Sequence, residues 1–165
     1  MWNHPKSRRY NWIENNLRKI RVAIVVSEFN KDITTKMLIT AKYHAKNLKM
    51  QVKKVCHVPG TFDMPLIVEK LLKTQDIDAI ITLGAVIKGE TGHDVLIANN
   101  TARLLADLSL KYQKPIALGI TGPDMTVKQA MKRVSTVPKR AVQAAYKMVT
   151  RLNELEDSKD TNSQK

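Results

Sequence analysis

Four short apolar runs, separated by stretches with helical periodicity, constrain this chain more than any other feature. Arg21-Val-Ala-Ile-Val-Val-Ser27 and Asp78-Ala-Ile-Ile-Thr-Leu83 are nearly continuous in aliphatic, largely β-branched residues, as strands buried on both faces should be. Gln51 to Val58 contains Lys53 and Lys54 and reads as an edge strand. Pro115-Ile-Ala-Leu-Gly-Ile120 opens on a proline, which a strand tolerates at its first position. Between these runs the apolar spacing changes to that of helices. Ile33, Met37, Ala41, Ala45 and Leu48 share one face, with His44 near it, and Val95, Ala98, Ala102, Leu105 and Leu108 share another between Asp94 and Tyr112. Thr126 followed by Gln129 is a capping-box signature for a helix reaching Val134. A last helix has Pro138 near its first position and a stripe of Ala141, Ala145, Met148 and Leu152. Strands alternating with helices can bury both faces only as a parallel sheet between two helical layers. The expected fold class is therefore α/β, a three-layer α/β/α arrangement around four parallel strands.

A chain of 165 residues with 43% apolar and 26% charged composition accommodates one packed domain. The expected division is a basic N-terminal arm over residues 1–20, a domain over 21–152, and a disordered C-terminal tail over 153–165, where apolar residues are almost absent. The single cysteine, Cys56, has no internal disulfide partner, and no Cys/His cluster has metal-ligand spacing. No metal and no cofactor are expected. No apolar run approaches the roughly 20 residues of a membrane span, and Met1 to Lys19 lacks the apolar core of a signal peptide. A soluble, cytoplasmic protein follows as the expectation. The net charge of +13 raises nucleic acid as a partner. Its distribution argues otherwise, because Lys36, Lys42, Lys46, Lys128, Lys132 and Lys147 are scattered over helix faces. A solvated basic surface that serves anionic small molecules is the preferred reading, with no nucleic acid and no membrane as partner.

Open parallel sheets bind ligands beyond the carboxyl ends of their strands, which selects four loops before any motif is consulted. They are Ser27-Glu-Phe-Asn30, Pro59-Gly-Thr-Phe-Asp63, Gly84 through Asp94, and Gly119-Ile-Thr-Gly-Pro123. The third, Gly84-Ala-Val-Ile-Lys-Gly-Glu-Thr-Gly-His-Asp94, is rich in glycine and runs into a long helix, so its backbone N–H groups and the helix dipole suit an anion. It lacks the spacing of a nucleotide-binding P-loop. His93 stands at that helix start, where it suits proton transfer near neutrality. The alternative is a surface or capping histidine. Phe29 and Phe62 are either core aromatics or rings that stack on a planar ligand. Asp63 is either a ligand contact or the N-cap of the helix containing Pro65 and Leu66. Arg133 and Lys139 flank the turn between the last two helices and, on their own, read as solvated charges. Cys56 reads as a structural thiol, and His44 and His57 as structural histidines.

In order and spacing, Ser27-Glu-Phe-Asn30, Val58-Pro-Gly-Thr-Phe-Asp-Met-Pro65 and Leu83-Gly-Ala-Val-Ile-Lys-Gly-Glu-Thr-Gly-His-Asp94 resemble the 6,7-dimethyl-8-ribityllumazine synthases, which catalyse the penultimate step of riboflavin biosynthesis. The resemblance runs from about Arg21 to Leu152, and Gly-Ile-Thr-Gly-Pro-Asp-Met-Thr126 is most similar to the archaeal branch. It implies a flavodoxin-like fold and a cofactor-independent transferase. That enzyme condenses 5-amino-6-(D-ribitylamino)uracil with 3,4-dihydroxy-2-butanone 4-phosphate, releasing phosphate and water. By resemblance, Phe29 stacks on the pyrimidine, and Asn30 with Thr61, Phe62 and Asp63 holds the pyrimidine and ribityl chain. Ala85, Val86 and Ile87 line the pocket, Glu90 and Thr91 bind the phosphate end, and His93 moves protons. Leu118, Arg133 and Lys139 reach the same pocket from a neighbouring subunit, in a homopentamer or a 60-subunit icosahedral shell. Many members have Arg where Glu28 stands, Glu where Asp63 stands, and Phe where Leu118 stands. Two other functions fit the same fold: the archaeal type of riboflavin synthase, and a non-catalytic flavin-binding shell protein. The Gly89-Glu-Thr-Gly-His-Asp94 loop argues against the first, which has no phosphorylated substrate, and the presence of His93 and Arg133 argues against the second.

Overall fold

The structure is a computed structural model that describes residues 19–162, with side chains through Ser158. Residues 1–18 of the expected arm lie outside the described residues. In chain order the elements are β1 (Arg21–Ser27), α1 (Lys31–Asn47), β2 (Gln51–Val58), a 3-10 turn (Thr61–Asp63), α2 (Met64–Leu72), β3 (Ala79–Ala85), α3 (His93–Tyr112), β4 (Ile116–Thr121), α4 (Val127–Met131) and α5 (Thr136–Asn162). The four strands form one sheet in the order β2-β1-β3-β4, and every pairing is parallel.

Burial follows directly from this order. β1 and β3 are central, so Val22, Ala23, Ile24, Val25 and Val26, and Ala79 to Leu83, are sealed from solvent on both faces. Odd and even positions of each strand then serve different cores. Val22, Ile24 and Val26 pack with Ile81 and Leu83 beneath α1 and α5, where Leu38, Ala41, Ala45, Val142 and Ala145 complete the layer. Ala23, Val25 and Ile80 face α2 and α3 through Met64, Val68, Leu71, Leu72 and Leu105. Each buried aliphatic side chain contributes about 1.5–3 kcal/mol of burial free energy, which makes these two layers the main source of stability. β2 is an edge strand, with Lys53 and Lys54 exposed. The register slips between Val22 and Ala23, which pair with Val52 and Lys54, leaving Lys53 as the extra residue of a bulge. Lysines and a bulge on an edge discourage adventitious strand pairing.

At the amino end of the sheet, the Asp78 carboxylate accepts from the Arg21 backbone N (2.7 Å), Nε (3.1 Å) and Nη2 (2.7 Å). Arg21 Nη2 also donates to the Gln75 carbonyl at 2.9 Å. Asp78 is thus a staple beneath β1 instead of the first residue of β3, which starts one residue later and runs on to Ala85.

Several boundaries differ from those read in the sequence. α5 continues through Asn162, so most of the segment expected as a disordered tail is helical. Glu154, Leu155 and Glu156 are good helix formers, and a helix already anchored by its first turns extends at little further cost. The buried stripe on α5 is Ala141, Val142, Ala145 and Val149, while Met148 is exposed. On α3 the inward face carries Asp94, Ala98, Thr101 and Leu105, and Val95 points outward. The capping box at Thr126 and Gln129 is present. Its helix ends at Met131 instead of Val134 because Arg133 N turns back to Ala130 O, tightening the last turn.

Candidate active site

The strand order reverses direction about β1: the chain steps one way to β2 and returns on the other side to β3. The carboxyl ends of β1 and β3 therefore splay their loops apart, leaving the crevice in which open α/β sheets bind ligands. A cleft of about 370 Å³ sits there, lined by Phe29, Gly60, Thr61, Phe62, Ala85, Val86, Ile87, Gly89, Thr91, His93, Asp94 and Ile97. Its volume lies within the ~300–1,000 Å³ usual for small-molecule sites. Phe29 and Phe62 are 68% and 58% exposed, so neither is a core aromatic, and both offer ring faces at the cleft.

Asn30 has a different local task. It adopts a left-handed conformation, φ 57° and ψ 47°, at the start of α1, a region that Asn tolerates better than most residues. Its Nδ2 donates to the Ala85 carbonyl at 2.8 Å, tying the loop after β1 to the end of β3 across the switch point. Asp63 is also committed locally: its Oδ2 accepts from Gly60 N at 2.8 Å and closes the 3-10 turn. It stands at the N-cap position of α2 without a side-chain capping bond, so of its two alternatives the capping role is replaced by this turn closure.

The loop between β3 and α3 comprises residues 86–92. A Cβ added at Gly89 or Gly92 would meet nothing within 4 Å, so neither glycine is required for tight packing, and the backbone there is open to an anion. His93 is the first residue of α3, exposed, with its imidazole on the cleft. Asp94, beside it, is only 7% exposed. Lys88 pairs with Asp124 Oδ1 at 2.5 Å. That hydrogen bond, the Asp124 charge and a weaker contribution from Asp94 hold the Lys88 ammonium above the ordinary lysine range. Its ammonium thus already faces a carboxylate of the neighbouring loop. Among the described residues lining the cleft there is no Lys or Arg.

The cleft therefore gathers Phe29, Thr61, Phe62, Ala85, Val86, Ile87, Thr91 and His93 from the residues singled out in the sequence. Glu90 is exposed on the loop beside it. Leu118, Arg133 and Lys139 are not part of the cleft of their own chain. Leu118 is 51% exposed on the outer strand β4, Arg133 lies along its own turn with Nη1 donating to Gln129 O at 3.4 Å, and Lys139 is exposed on α5. Of the other lining residues, Gly60, Gly89 and Asp94 belong to loops selected in the sequence without an individual role, and Ile97 lies beyond them. Ile97 was readable, standing four residues after His93 on the same helix face. A larger groove of about 630 Å³, lined by Lys19, Lys42, Lys46, Lys49, Lys53 and Lys54, lies at the start of β2, away from the carboxyl ends, and among the described residues its lining has no aromatic or histidine.

Residues 19–153 match the sequence profile of the family described as 6,7-dimethyl-8-ribityllumazine synthase. The chain is 52% identical over 143 residues to the 6,7-dimethyl-8-ribityllumazine synthase of Saccharolobus solfataricus, covering 87% of this chain and 93% of that one. It is 54% identical over 136 residues to the protein of the same name from Metallosphaera sedula, covering 82% and 90%. With that of Methanothermobacter thermautotrophicus it shares 54% identity over 138 residues, covering 84% and 99%.

Proposed function

The chain belongs to the 6,7-dimethyl-8-ribityllumazine synthase family, and from that premise we propose that it condenses 5-amino-6-(D-ribitylamino)uracil with 3,4-dihydroxy-2-butanone 4-phosphate. The observation that carries this reading is the cleft at the β1/β3 switch point, where two exposed rings, an open glycine-containing loop and one imidazole converge. A planar, polar substrate and a phosphate ester are what such a set accommodates.

Phe29 stacks on the pyrimidine. Thr61, Phe62 and Asp63 border the ribityl chain, with Asn30 holding the wall formed by Ala85 to Ile87. The phosphate lies against the N–H groups of residues 89–92 at the start of α3, beside Glu90 and Thr91, where the dipole of a long helix favours an anion. The pyrimidine's 5-amino nitrogen attacks the ketone and water leaves to give an imine. His93 moves the proton as phosphate departs. The ribitylamino nitrogen then closes the second ring with loss of water. Holding amine and ketone together supplies most of the acceleration, so the general acid–base contribution is modest.

One charge remains to be met. With Lys88 committed to Asp124, the cleft's own side chains leave a phosphate dianion undercompensated. Arg133, exposed at the turn after α4, and Lys139, exposed at the start of α5, meet it from a neighbouring subunit with Leu118 beside them. The guanidinium fork suits phosphate oxygens better than an ammonium. Leu96, Leu104 and Leu110 on α3, exposed in one chain, are the apolar surface that such a homo-oligomer would bury. A homopentamer, alone or closed into an icosahedral shell, is the assembly proposed, in a cytoplasmic setting. Among the described residues no helix is long and apolar enough to cross a membrane.

Incubating the purified protein with both substrates tests the reaction. Lumazine and inorganic phosphate should appear in equal amounts. Riboflavin formed from lumazine alone would overturn the assignment in favour of a dismutating enzyme. Light scattering tests the assembly, and a monomer with full activity would refute the shared site.

A further inference from the structure

The cleft loop and the loop after β4 are stitched together more closely than a surface crossing requires. Val86 N donates to Thr121 O at 2.8 Å, and Lys88 N to Met125 O at 2.9 Å. Gly122 sits between them at φ 106°, where a Cβ would lie 2.2 Å from the Val86 carbonyl oxygen. Asp94, buried in the first turn of α3, accepts the Asp124 N–H on Oδ2 at 2.9 Å, and the Asp124 carboxylate in turn receives Lys88 Nζ. The strand of contacts continues to Arg133, whose Nη1 lies 3.9 Å from Met125 Sδ. From His93 to the Arg133 guanidinium the path thus runs through the peptide bond to Asp94, the Asp94–Asp124 hydrogen bond, the peptide bond to Met125 and the Met125–Arg133 contact.

A carboxylate withdrawn from water persists only where its lone pairs are met. Asp94 has the dipole of a 20-residue helix and the Asp124 N–H to do this, and neither partner belongs to a substrate. We propose that Asp94 is a positioning residue that fixes two neighbouring active sites at once, clasping the His93 loop of its own site to the segment that carries Arg133 to the next. This rests on the shared site proposed above. The catalytic groups are His93 and Arg133, and Asp94 acts through both.

The consequence is a pattern of kinetics that loss of packing alone would not produce. In Asp94→Ala, kcat falls because His93 loses its orientation, and KM for the butanone phosphate rises because the partner's guanidinium is displaced. KM for the pyrimidine, held by Phe29 and the loop after β2, stays unchanged. The combined loss in kcat/KM for the phosphate substrate should be about tenfold, as for a hydrogen bond to a charged group. Asp94→Asn should restore most of it, since the amide oxygen can accept the same N–H. Lys88→Gln, at an exposed position, should reproduce the defect in weaker form without endangering the fold.

Co-assembly separates the clasp from the shared site. Equal mixtures of His93→Ala and Arg133→Ala subunits, assayed well below KM for the butanone phosphate, should reach roughly a quarter of the parent kcat/KM, because about one interface in four then pairs two intact groups. Asp94→Ala subunits, impaired on both sides, should complement neither. If the His93→Ala and Arg133→Ala subunits failed to complement each other, the shared site would fall and this inference with it. If they complemented each other and Asp94→Ala rescued either one, the shared site would stand and the clasp would be refuted. Unchanged kinetics in Lys88→Gln together with parent-like Asp94→Ala would likewise refute it.

Discussion

Replacing Asn30 tests whether the switch point is held by a side chain or merely by the strands beneath it. Two separable contributions can be assigned. The left-handed backbone at φ 57° is one that an L-residue with a plain Cβ resists by about 1–2 kcal/mol, and Asn escapes part of this, leaving a difference of about 1 kcal/mol for Ala. The Nδ2 bond to the Ala85 carbonyl at 2.8 Å contributes about 1 kcal/mol more. Asn30→Ala should therefore destabilise by about 2 kcal/mol, whereas Asn30→Gly, free to adopt the same backbone but lacking the amide, should lose about 1 kcal/mol. Urea unfolding at matched protomer concentration measures both, provided sizing shows the same assembly and the m-value is unchanged. A loss below about 0.5 kcal/mol for Ala, within the range of ordinary surface substitutions, would show that the amide bond contributes nothing. Equal losses for Ala and Gly would show that the left-handed backbone is not the source of half the effect. The wall at Ala85 to Ile87 also loses its tie, so KM for the pyrimidine should rise in both variants by a similar factor.

Three further outcomes are expected. His93→Ala should lower turnover roughly tenfold, less than general acid–base catalysis usually contributes because positioning supplies most of the acceleration, while changing stability by less than about 0.5 kcal/mol, since the residue is exposed at the cleft; unchanged steady-state turnover and pH dependence would return His93 to a surface role. Arg133→Ala should raise KM for the butanone phosphate more than it lowers kcat, and initial-rate measurements that put the defect on the pyrimidine instead would contradict the assignment. Glu69 accepts from Tyr112 Oη at 2.6 Å and Lys111 Nζ at 3.0 Å, which together lower its pKa from 4.5 to about 2. A depressed carboxylate stabilises the fold above its unfolded pKa and loses that contribution as pH falls toward the folded value, so the thermal midpoints of Glu69→Gln and the parent should differ at pH 7 and converge between pH 4.5 and 2.

Hydrophobic patterning determined the layers of this protein, because burial is set by which residues are apolar and at what period they recur. The β-branched runs at Val22 to Val26 and Ala79 to Leu83 could satisfy their two apolar faces only in the middle of a covered sheet, and Lys53 and Lys54 could be tolerated only at an edge. The loop from Gly84 to Asp94 was legible for the same local reason: its glycines and the onset of a long helical period are both features of the local sequence. Helix ends were less legible. The tail beyond Asn153 has no apolar period, yet it continues α5 because propagating an anchored helix needs only compatible residues, and Met148 yields its inward place to Val149 because the docking angle of that helix on the sheet is not written in its spacing. Polar partnerships were the least legible of all. That Asn30 would bond Ala85, that Asp63 would turn back on Gly60, and that Asp94 would be buried against Asp124 all depend on chain segments meeting across the sheet. Hydrogen bonds are short and directional, so a sequence can supply their donors and acceptors, but only the packed layers decide which of them come within 3 Å of each other.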